Sequence, residues 1–251
     1  MTAYSFWILR HLALAGGGVY GISHPLDCNV YAIVSNGEAA IFDAGCGIDT
    51  DRLIANLRSL GIERLKYIFL THCHADHVCG APAIREALGG QIVASEQDSR
   101  LISKGSDYEL GLEQARLSGS YPNWFNYVHF APDVEIRGTA TFSVGELEIS
   151  ALVLPSHTPG STLFTVQSSE RRDMVSGDVV MVGGLVSLIN VPGCELADYR
   201  TNLPTVTGLG VDGLFPGHWM WCVNDGQKHI DEVIAQLKRS RLPRNFASLL
   251  G

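Results

Sequence analysis

The stretch LTHCHADHVCG, residues 70–80, follows the apolar run YIFL and carries His72, His74, Asp76 and His77 within six positions. Imidazole nitrogen and carboxylate oxygen are the ligands that zinc and related divalent metals accept in proteins. In an extended or tightly turned segment, the spacing His-x-His places two imidazoles on the same side. The stretch therefore predicts a metal site where a strand ends.

Three further candidate ligands come later in the chain, each directly after an apolar run and beside a glycine or proline. They are His157 in LVLPSHTPGS, Asp178 in MVSGDVV and His218 in GLFPGHW. Strands that end at one edge of a sandwich hold such loops rigidly while leaving them open to solvent. Seven ligands suit two metals. In the simplest partition, one ion takes His72, His74 and His157, the second takes Asp76, His77 and His218, and Asp178 bridges them.

The rest of the chain alternates strand and helix patterns. Residues 28–45 form two apolar runs around Asn36-Gly37, a strong signal for a β-hairpin. A helical pattern in DTDRLIANLRSLG, a strand, the ligand cluster, a second helix and another strand follow. Residues 140–178 repeat the hairpin pattern, and QKHIDEVIAQLKRSR predicts a closing amphipathic helix. Two β-rich halves with helices outside predict a sandwich flanked by helices.

The chain of 251 residues is interpreted as a single domain, 1–251. Residues 96–131 lack clean periodicity and predict an insertion of short helices, whose aromatic residues Tyr121, Trp124 and Phe125 are candidates to cover a cleft. The first 21 residues are interpreted as a strand followed by a Gly-rich loop.

Composition narrows the class of partner. A formal net charge of −8 argues against nucleic acid, because phosphate binding depends on clustered Lys and Arg. No run of about 18 apolar residues occurs, so no membrane span is predicted. The six cysteines include no Cys-x-x-Cys pair, and reduced thiols in a cytoplasmic protein are the simplest explanation. These features favour a small-molecule substrate, and the oligomeric state stays open.

The ordered ligand set resembles that of the metallo-β-lactamase-fold superfamily. Its His-x-His-x-Asp-His signature is matched by residues 72–77, and its later ligands are matched by His157, Asp178 and His218. The resemblance implies an α/β fold, the αββα four-layer sandwich, with a dinuclear site on its edge. Asp43 in IFDAG matches a recurrent acidic position that orders the metal loop from behind.

The resemblance also implies a reaction. Two Zn²⁺ ions per chain, with iron or manganese as alternatives, lower the pKa of a shared water, so that a metal-bound hydroxide attacks at neutral pH. Asp76 and Asp178 are the predicted catalytic residues. Asp178 bridges the metals, and Asp76 orients the nucleophile or carries a proton to the leaving group.

Several branches of the superfamily differ from this chain. Flavodiiron-type members have glutamate in place of His74, typical metallo-β-lactamases lack the aspartate corresponding to Asp178, and tRNA-processing nucleases need a basic surface. Glyoxalase II and persulfide dioxygenases usually carry a Gly-Cys-Gly-Arg-like segment after the bridging aspartate, where this chain has the apolar GDVVMVGGLVSLIN. A lactonase-like or esterase-like hydrolase remains favoured. A mononuclear iron persulfide dioxygenase-like enzyme and a β-lactamase-type amide hydrolase are the alternatives.

The residues near the ligands in sequence suggest an apolar substrate, a small ester, lactone or thioester. Met181 follows Asp178 closely, in the region where lactonases that open acyl-homoserine lactones commonly have a tyrosine. The predicted substrate-binding residues are His24, Trp124, Met181 and Trp219.

Overall fold

The computed structural model describes residues 17–23 and 27–249 of the chain. Its strands are β1 (Gly17–Ser23), β2 (Asn29–Ser35), β3 (Glu38–Phe42), β4 (Tyr67–Phe69), β5 (Gln91–Ser95), β6 (Val134–Ile136), β7 (Thr139–Val144), β8 (Leu147–Val153), β9 (Thr162–Gln167), β10 (Arg172–Gly177) and β11 (Gly213–Pro216). Its α-helices are α1 (Thr50–Ser59), α2 (Ala75–Val78), α3 (Ala81–Leu88), α4 (Glu96–Lys104), α5 (Leu112–Leu117), α6 (Leu196–Asn202) and α7 (Gly226–Leu237), and 3-10 turns cover Leu203–Val206 and Phe246–Leu249.

The first sheet has six strands in the order β1-β2-β3-β4-β5-β6. The strands β1 to β3 are antiparallel neighbours, and β3 to β6 run parallel, joined by the helices between them. The hairpin predicted around Asn36-Gly37 is confirmed, and both residues take the positive φ that its tight turn requires, 49° and 78°. This arrangement brings the ends of β3 and β4 side by side.

The second sheet has five strands in the order β11-β10-β9-β8-β7. The strands β7 to β10 are antiparallel neighbours, which confirms the hairpin pattern predicted for residues 140–178. Strand β11 joins β10 in parallel, with Asp173 opposite Gly213. Because β10 and β11 run in the same direction, the loops after them leave at one edge of the sheet.

An aromatic core lies between the two sheets. The rings of Phe42 and Phe69 in the first sheet are stacked with centroids 5.3 Å apart, and Phe164 of the second sheet lies 5.1 Å from Phe69. All three side chains are fully buried. Burial of aromatic rings on both inner faces supplies much of the hydrophobic stabilisation that holds the sheets together.

Helices cover both outer faces. Buried side chains of α1, α3 and α4 pack with Ile41, Ile68 and Ile92 on the outside of the first sheet. Side chains of α6 and α7 pack with Met174 and Leu214 on the outside of the second sheet. The predicted αββα four-layer sandwich is therefore confirmed.

Two local features refine the sequence interpretation. The Gly-rich stretch expected to be a loop is strand β1 from Gly17 onward, because its backbone pairs with β2 along its whole length. Residues 96–131 contain α4 and α5, followed by irregular chain. In the described part of the chain, no helix is both long enough and apolar enough to cross a bilayer.

We expect Phe164→Ala to lower the free energy of unfolding by about 3–5 kcal/mol, because it opens a cavity between the sheets. Leu117→Ala is a matched control, since this side chain is 87% exposed, and its effect should stay within about 0.5 kcal/mol. Urea unfolding followed by circular dichroism measures both. Equal stability of the two variants would contradict the assigned core.

Candidate metal centre

The seven predicted ligands meet at one edge of the sandwich. The loop after β4 and the short helix α2 supply the first four, while the loops after β8, β10 and β11 supply the remaining three. Backbone hydrogen bonds hold these loops together. Thr162 N donates to Thr71 O at 2.8 Å, Gly217 N donates to Gly177 O at 2.8 Å, and Asn29 N donates to Gly217 O at 2.6 Å. The edge is therefore built from both sheets.

One group of ligand atoms consists of three imidazole nitrogens. His74 Nδ1 lies 3.1 Å from His72 Nε2 and 3.0 Å from His157 Nε2. A tetrahedral zinc ion with bonds of about 2.0–2.1 Å places neighbouring nitrogens roughly 3.3 Å apart. The spacing of this first triad thus matches that of ligands around one ion.

A second group lies beside it. Asp76 Oδ2 is 3.0 Å from His218 Nε2 and 3.6 Å from His77 Nε2. The three residues form a second triad whose ligand atoms all lie within 4.8 Å of one another.

Asp178 lies between the two triads. Its Oδ2 is 3.6 Å from His157 Nε2 of the first triad and 3.5 Å from His218 Nε2 of the second. Its Oδ1 is 3.6 Å from His77 Nε2. The Asp178 carboxylate thus lies within 3.6 Å of ligand atoms of both triads. The structure thus brings all seven sequence-predicted residues into one site.

Two buried atoms of this site show that the donor set fits a metal. Within the described residues, His77 Nε2 and Asp178 Oδ1 are fully buried and have no hydrogen-bond partner. A buried polar atom without a partner costs about 1–3 kcal/mol, so native proteins rarely leave one unsatisfied. The two atoms lie 3.6 Å apart, and a divalent cation would satisfy both.

Hydrogen bonds hold the Nδ1 atoms of His157 and His77 on the side of each ring away from the site. His157 Nδ1 donates to the carbonyl of Ser187 at 2.6 Å, and His77 Nδ1 donates to Asp43 Oδ2 at 2.8 Å. In the neutral rings, these bonds keep the proton on Nδ1, so that both Nε2 atoms would be available as ligands of a metal ion. Asp43 also accepts bonds from Thr71 N at 2.8 Å and Thr71 Oγ1 at 2.9 Å. Asp43 therefore lies behind the metal loop, at the position that the resemblance implies.

Burial and neighbouring charges set the protonation of the site. Burial, together with the neighbouring histidines, lowers the pKa of His74 to about 3, and burial lowers the pKa of His157 to about 4. Both imidazoles are therefore neutral at pH 7, as metal ligation requires. Although burial acts in the opposite direction, the imidazoles of His77 and His218 hold the pKa of Asp76 below its ordinary value. Its carboxylate stays ionised.

Asp98 on α4 is a structural residue of the site that the sequence motifs do not indicate. It is buried, accepts bonds from Thr158 Oγ1 at 2.8 Å and Gly160 N at 2.9 Å, and lies against Cys73. Burial raises the pKa of this carboxyl group to about 6. Asp98 thus ties the loop of His157 to the loop that carries the first ligands. The only sequence signal was Ser95, which caps α4 three residues earlier.

Replacing Asp98 by Asn should lower the free energy of unfolding by about 1–3 kcal/mol, because the amide nitrogen would face a donor from Thr158 or Gly160. Zinc affinity should fall by about tenfold as the two loops lose their common anchor. Urea unfolding and competition with a zinc-binding dye measure the two effects. Asp231→Asn on the exposed face of α7 is the matched control, and an Asp98→Asn variant as stable as that control would argue against the role.

A cavity of about 790 Å³ opens beside the ligands. Apolar side chains from four regions of the chain line it, namely Leu110, Leu112, Ile189, Val191, Trp219 and Phe246. Tyr121 lines it from the insertion and is stacked on Phe125, with centroids 4.6 Å apart. The C-terminal Phe246 had no signal in the sequence, because only the tertiary fold brings residue 246 back to the edge.

The four predicted substrate-binding residues differ in their position relative to the cavity. Trp219 lines the cavity, and its role in substrate binding stays a prediction. Trp124 does not, because the turn around Phe125 leaves its ring 68% exposed to solvent. Met181 is also wrongly predicted: the chain folds back there, pairing Met181 with Leu185, and the side chain is buried behind Phe246. His24 lies outside the described residues.

Comparison with known proteins agrees with this geometry. Residues 24–228 match the model of the metallo-beta-lactamase superfamily. The chain belongs to this superfamily. The resemblance seen in the sequence is thereby confirmed, and a divalent metal site with His and Asp ligands is a property of the fold.

Metallo-β-lactamase superfamily relatives of this chain have varied names. A hydroxyacylglutathione hydrolase of Anaeromyxobacter dehalogenans is 27% identical over 158 residues, which are 63% of this chain and 48% of that protein. The match thus spans about half of that relative. The hydroxyacylglutathione hydrolase GloC of Haemophilus influenzae is 32% identical over 59% of this chain and 64% of its own length. The human persulfide dioxygenase ETHE1 is 26% identical over 64% of this chain and 52% of its own length.

Solved structures of the superfamily share the fold. The subclass B3 metallo-beta-lactamase BJP-1 of Bradyrhizobium japonicum superposes with a TM-score of 0.65 at 20% identity, over 86% of this chain and 87% of that one. A metallo-beta-lactamase with a HARLDQ motif from Cronobacter sakazakii gives a TM-score of 0.68 at 16% identity, over 88% of each chain.

Proposed function

We propose that this chain is a dinuclear zinc hydrolase of a small, largely apolar ester, lactone or thioester. The observation that carries the proposal is the pair of ligand triads with Asp178 between them. Three nitrogens suit one ion, and one carboxylate with two nitrogens suits a second. Two divalent cations, when bound, lower the pKa of coordinated water and polarise the carbonyl under attack.

The chain's own residues would complete the reaction. Asp76 faces the cavity and is ionised, so it can take a proton from the attacking water and pass it to the leaving group. Burial and the charge of Asp76 raise the pKa of Tyr121, which keeps its phenol protonated. The protonated Tyr121 hydroxyl thus lies beside Asp76 and can donate its hydrogen bond to that carboxylate.

The relatives support hydrolysis as the reaction class. Two of them are named hydroxyacylglutathione hydrolases, and another, from Bacillus subtilis, is named a probable metallo-hydrolase. The apolar cavity wall supports an acyl chain or ring as the part of the substrate that is bound.

A second candidate is an oxygenase. The likeness to the persulfide dioxygenase ETHE1 favours a mononuclear iron enzyme. The second triad argues for hydrolysis instead, because a single ion would need only one group of ligands.

We expect the protein purified from unsupplemented medium to contain about two zinc ions per chain by inductively coupled plasma mass spectrometry. A hydrolysis screen over lactones, aryl esters, acyl thioesters and a chromogenic β-lactam should give turnover with carbonyl esters or thioesters. Removal of metal by a chelator should abolish that turnover, and added zinc should restore it. A single iron per chain with oxygen uptake in the presence of a persulfide would contradict the proposal.

Asp178→Ala should reduce the metal content from about two ions to about one and lower kcat/KM by at least about 100-fold, because both triads lose their shared ligand. Metal analysis and steady-state kinetics measure these effects. Asp231→Asn, at an exposed position of α7, should keep both values. Full activity of Asp178→Ala would refute the bridging assignment.

A further inference from the structure

We infer that Asn29 is a positioning residue that holds His218 at the second triad. Asn29 begins β2 in the first sheet, whereas His218 follows β11 in the second sheet. The amide of Asn29 acts on the backbone at either side of His218 and not on the ion that the second triad would hold. The inference rests on the proposed dinuclear centre, because it concerns the affinity for the second ion.

Asn29 makes three hydrogen bonds to the loop after β11. Its backbone N donates to Gly217 O at 2.6 Å, and its side-chain Nδ2 donates to Pro216 O and to Trp219 O, both at 3.1 Å. Nδ2 carries two hydrogens, one for each of these carbonyls. Because Pro216 and Trp219 flank His218 in sequence, one buried amide nitrogen spans the loop around the ligand.

Tyr31 supports the same loop from the next inward position of β2. Alternate residues of a strand face the same side, so Asn29 and Tyr31 both point toward the second sheet. The Tyr31 hydroxyl donates to Pro216 O at 2.6 Å, and its ring lies edge-on to Phe215 of β11 with centroids 5.3 Å apart. Two side chains of the first sheet therefore hold the end of β11.

The ring of His218 makes no hydrogen bond at Nδ1 to any residue that the structure describes. Its polar contacts run through Nε2, to Asp76 and Asp178. Three other imidazoles direct Nε2 to the site, and each has a hydrogen-bond partner at Nδ1 at 2.6–3.0 Å. These three are His72, His77 and His157. The position of His218 therefore depends more on its backbone than theirs does.

The loop passes close to other ligands just before His218. A Cβ atom at Gly217 would overlap Asp178 Oδ1 and His77 Cε1, so the backbone lies directly against these residues. The His218 Nε2 atom then lies 3.0 Å from Asp76 Oδ2. The position of this backbone thus decides whether the His218 ring reaches the second triad.

The residue after His218 has a backbone conformation that needs support. Trp219 has a φ of 68°, in the left-handed region that L side chains seldom adopt. Such a conformation persists where neighbouring contacts enforce it. The hydrogen bond from Asn29 Nδ2 to the Trp219 carbonyl is one of these contacts. Without it, we expect the loop to relax and to carry His218 away from the second triad.

The test measures zinc binding to Asn29→Leu, which removes the amide, keeps a side chain of similar size and leaves the backbone bond to Gly217 in place. We expect the affinity for the second ion to fall by about 10- to 100-fold while the first ion stays bound, because the first triad does not use this loop. Competition with a zinc-binding dye resolves the two affinities. Asn29 also lines the cavity, so kinetics alone would not separate positioning from contact with substrate.

Gln236→Leu is the matched control. The Gln236 amide also donates to a backbone carbonyl, that of Gly184 at 2.8 Å, but it joins α7 to a segment that carries no ligand. This variant should keep the affinities for both ions, even where urea unfolding shows a loss of stability equal to that of Asn29→Leu. If Asn29→Leu kept both affinities, or lost both in parallel, the inference would be overturned.

Asn29→Ser is a milder variant that keeps one hydroxyl donor, and it replaces Asn29→Leu if that variant does not fold. Its affinity for the second ion should lie below that of the unaltered protein, with the first ion again unaffected. An affinity equal to that of the unaltered protein would count against the inference.

Hydrogen–deuterium exchange of the metal-free protein gives a readout that does not depend on the hydrolytic proposal. Peptides that cover residues 213–222 should exchange at least about threefold faster in Asn29→Leu than in Gln236→Leu, because β2 no longer holds the loop. Equal exchange in this segment would overturn the inference. If the unaltered protein bound a single zinc ion, the dinuclear proposal would fail, and the exchange rates would still decide whether Asn29 holds the loop of His218.

Discussion

The buried carboxylate of Asp43 joins the two loops from which the site grows. It ends β3 at a positive φ of 62° and accepts hydrogen bonds from the backbone and side chain of Thr71 and from His77 Nδ1. One side chain thereby sets the position of the loop after β4 and the orientation of a ligand in α2. Protein donors alone thus satisfy both oxygens of this buried carboxylate.

The packing of the two sheets positions the edge of the sandwich that carries the ligands. The aromatic core between Phe42, Phe69 and Phe164 fixes the two sheets relative to each other, and the strand ends follow. Each ligand then needs only a short loop to reach the centre. The site thus takes its precision from the packing of the strands, whereas the cavity wall comes from α5, the loop of residues 187–191 and the C-terminal segment.

The fold and the ligands were predictable for a physical reason. A hairpin turn at Asn36-Gly37 and ligands placed directly after apolar runs are local signals, because the backbone conformation and the strand direction decide them. The cavity wall was not predictable in this way. Met181 and Trp124 were expected to bind substrate, yet the pairing of Met181 with Leu185 and the turn at Phe125 decide where they point. Asp98 and Phe246 reach the site only through contacts between elements distant in sequence, which no local pattern encodes.

The origin of the ligands on two sheets has a consequence for how the chain is held together. His74 and Asp76 follow strands of the first sheet, whereas His157 and His218 follow strands of the second, more than 80 residues away. A metal held between them would close long loops of chain as a disulfide does, and would reduce the conformational entropy of the unfolded state. The six cysteines are all free in the structure. The metal ligands would thus cross-link segments that follow the two sheets, and this link would not depend on disulfide bonds that a reducing environment breaks.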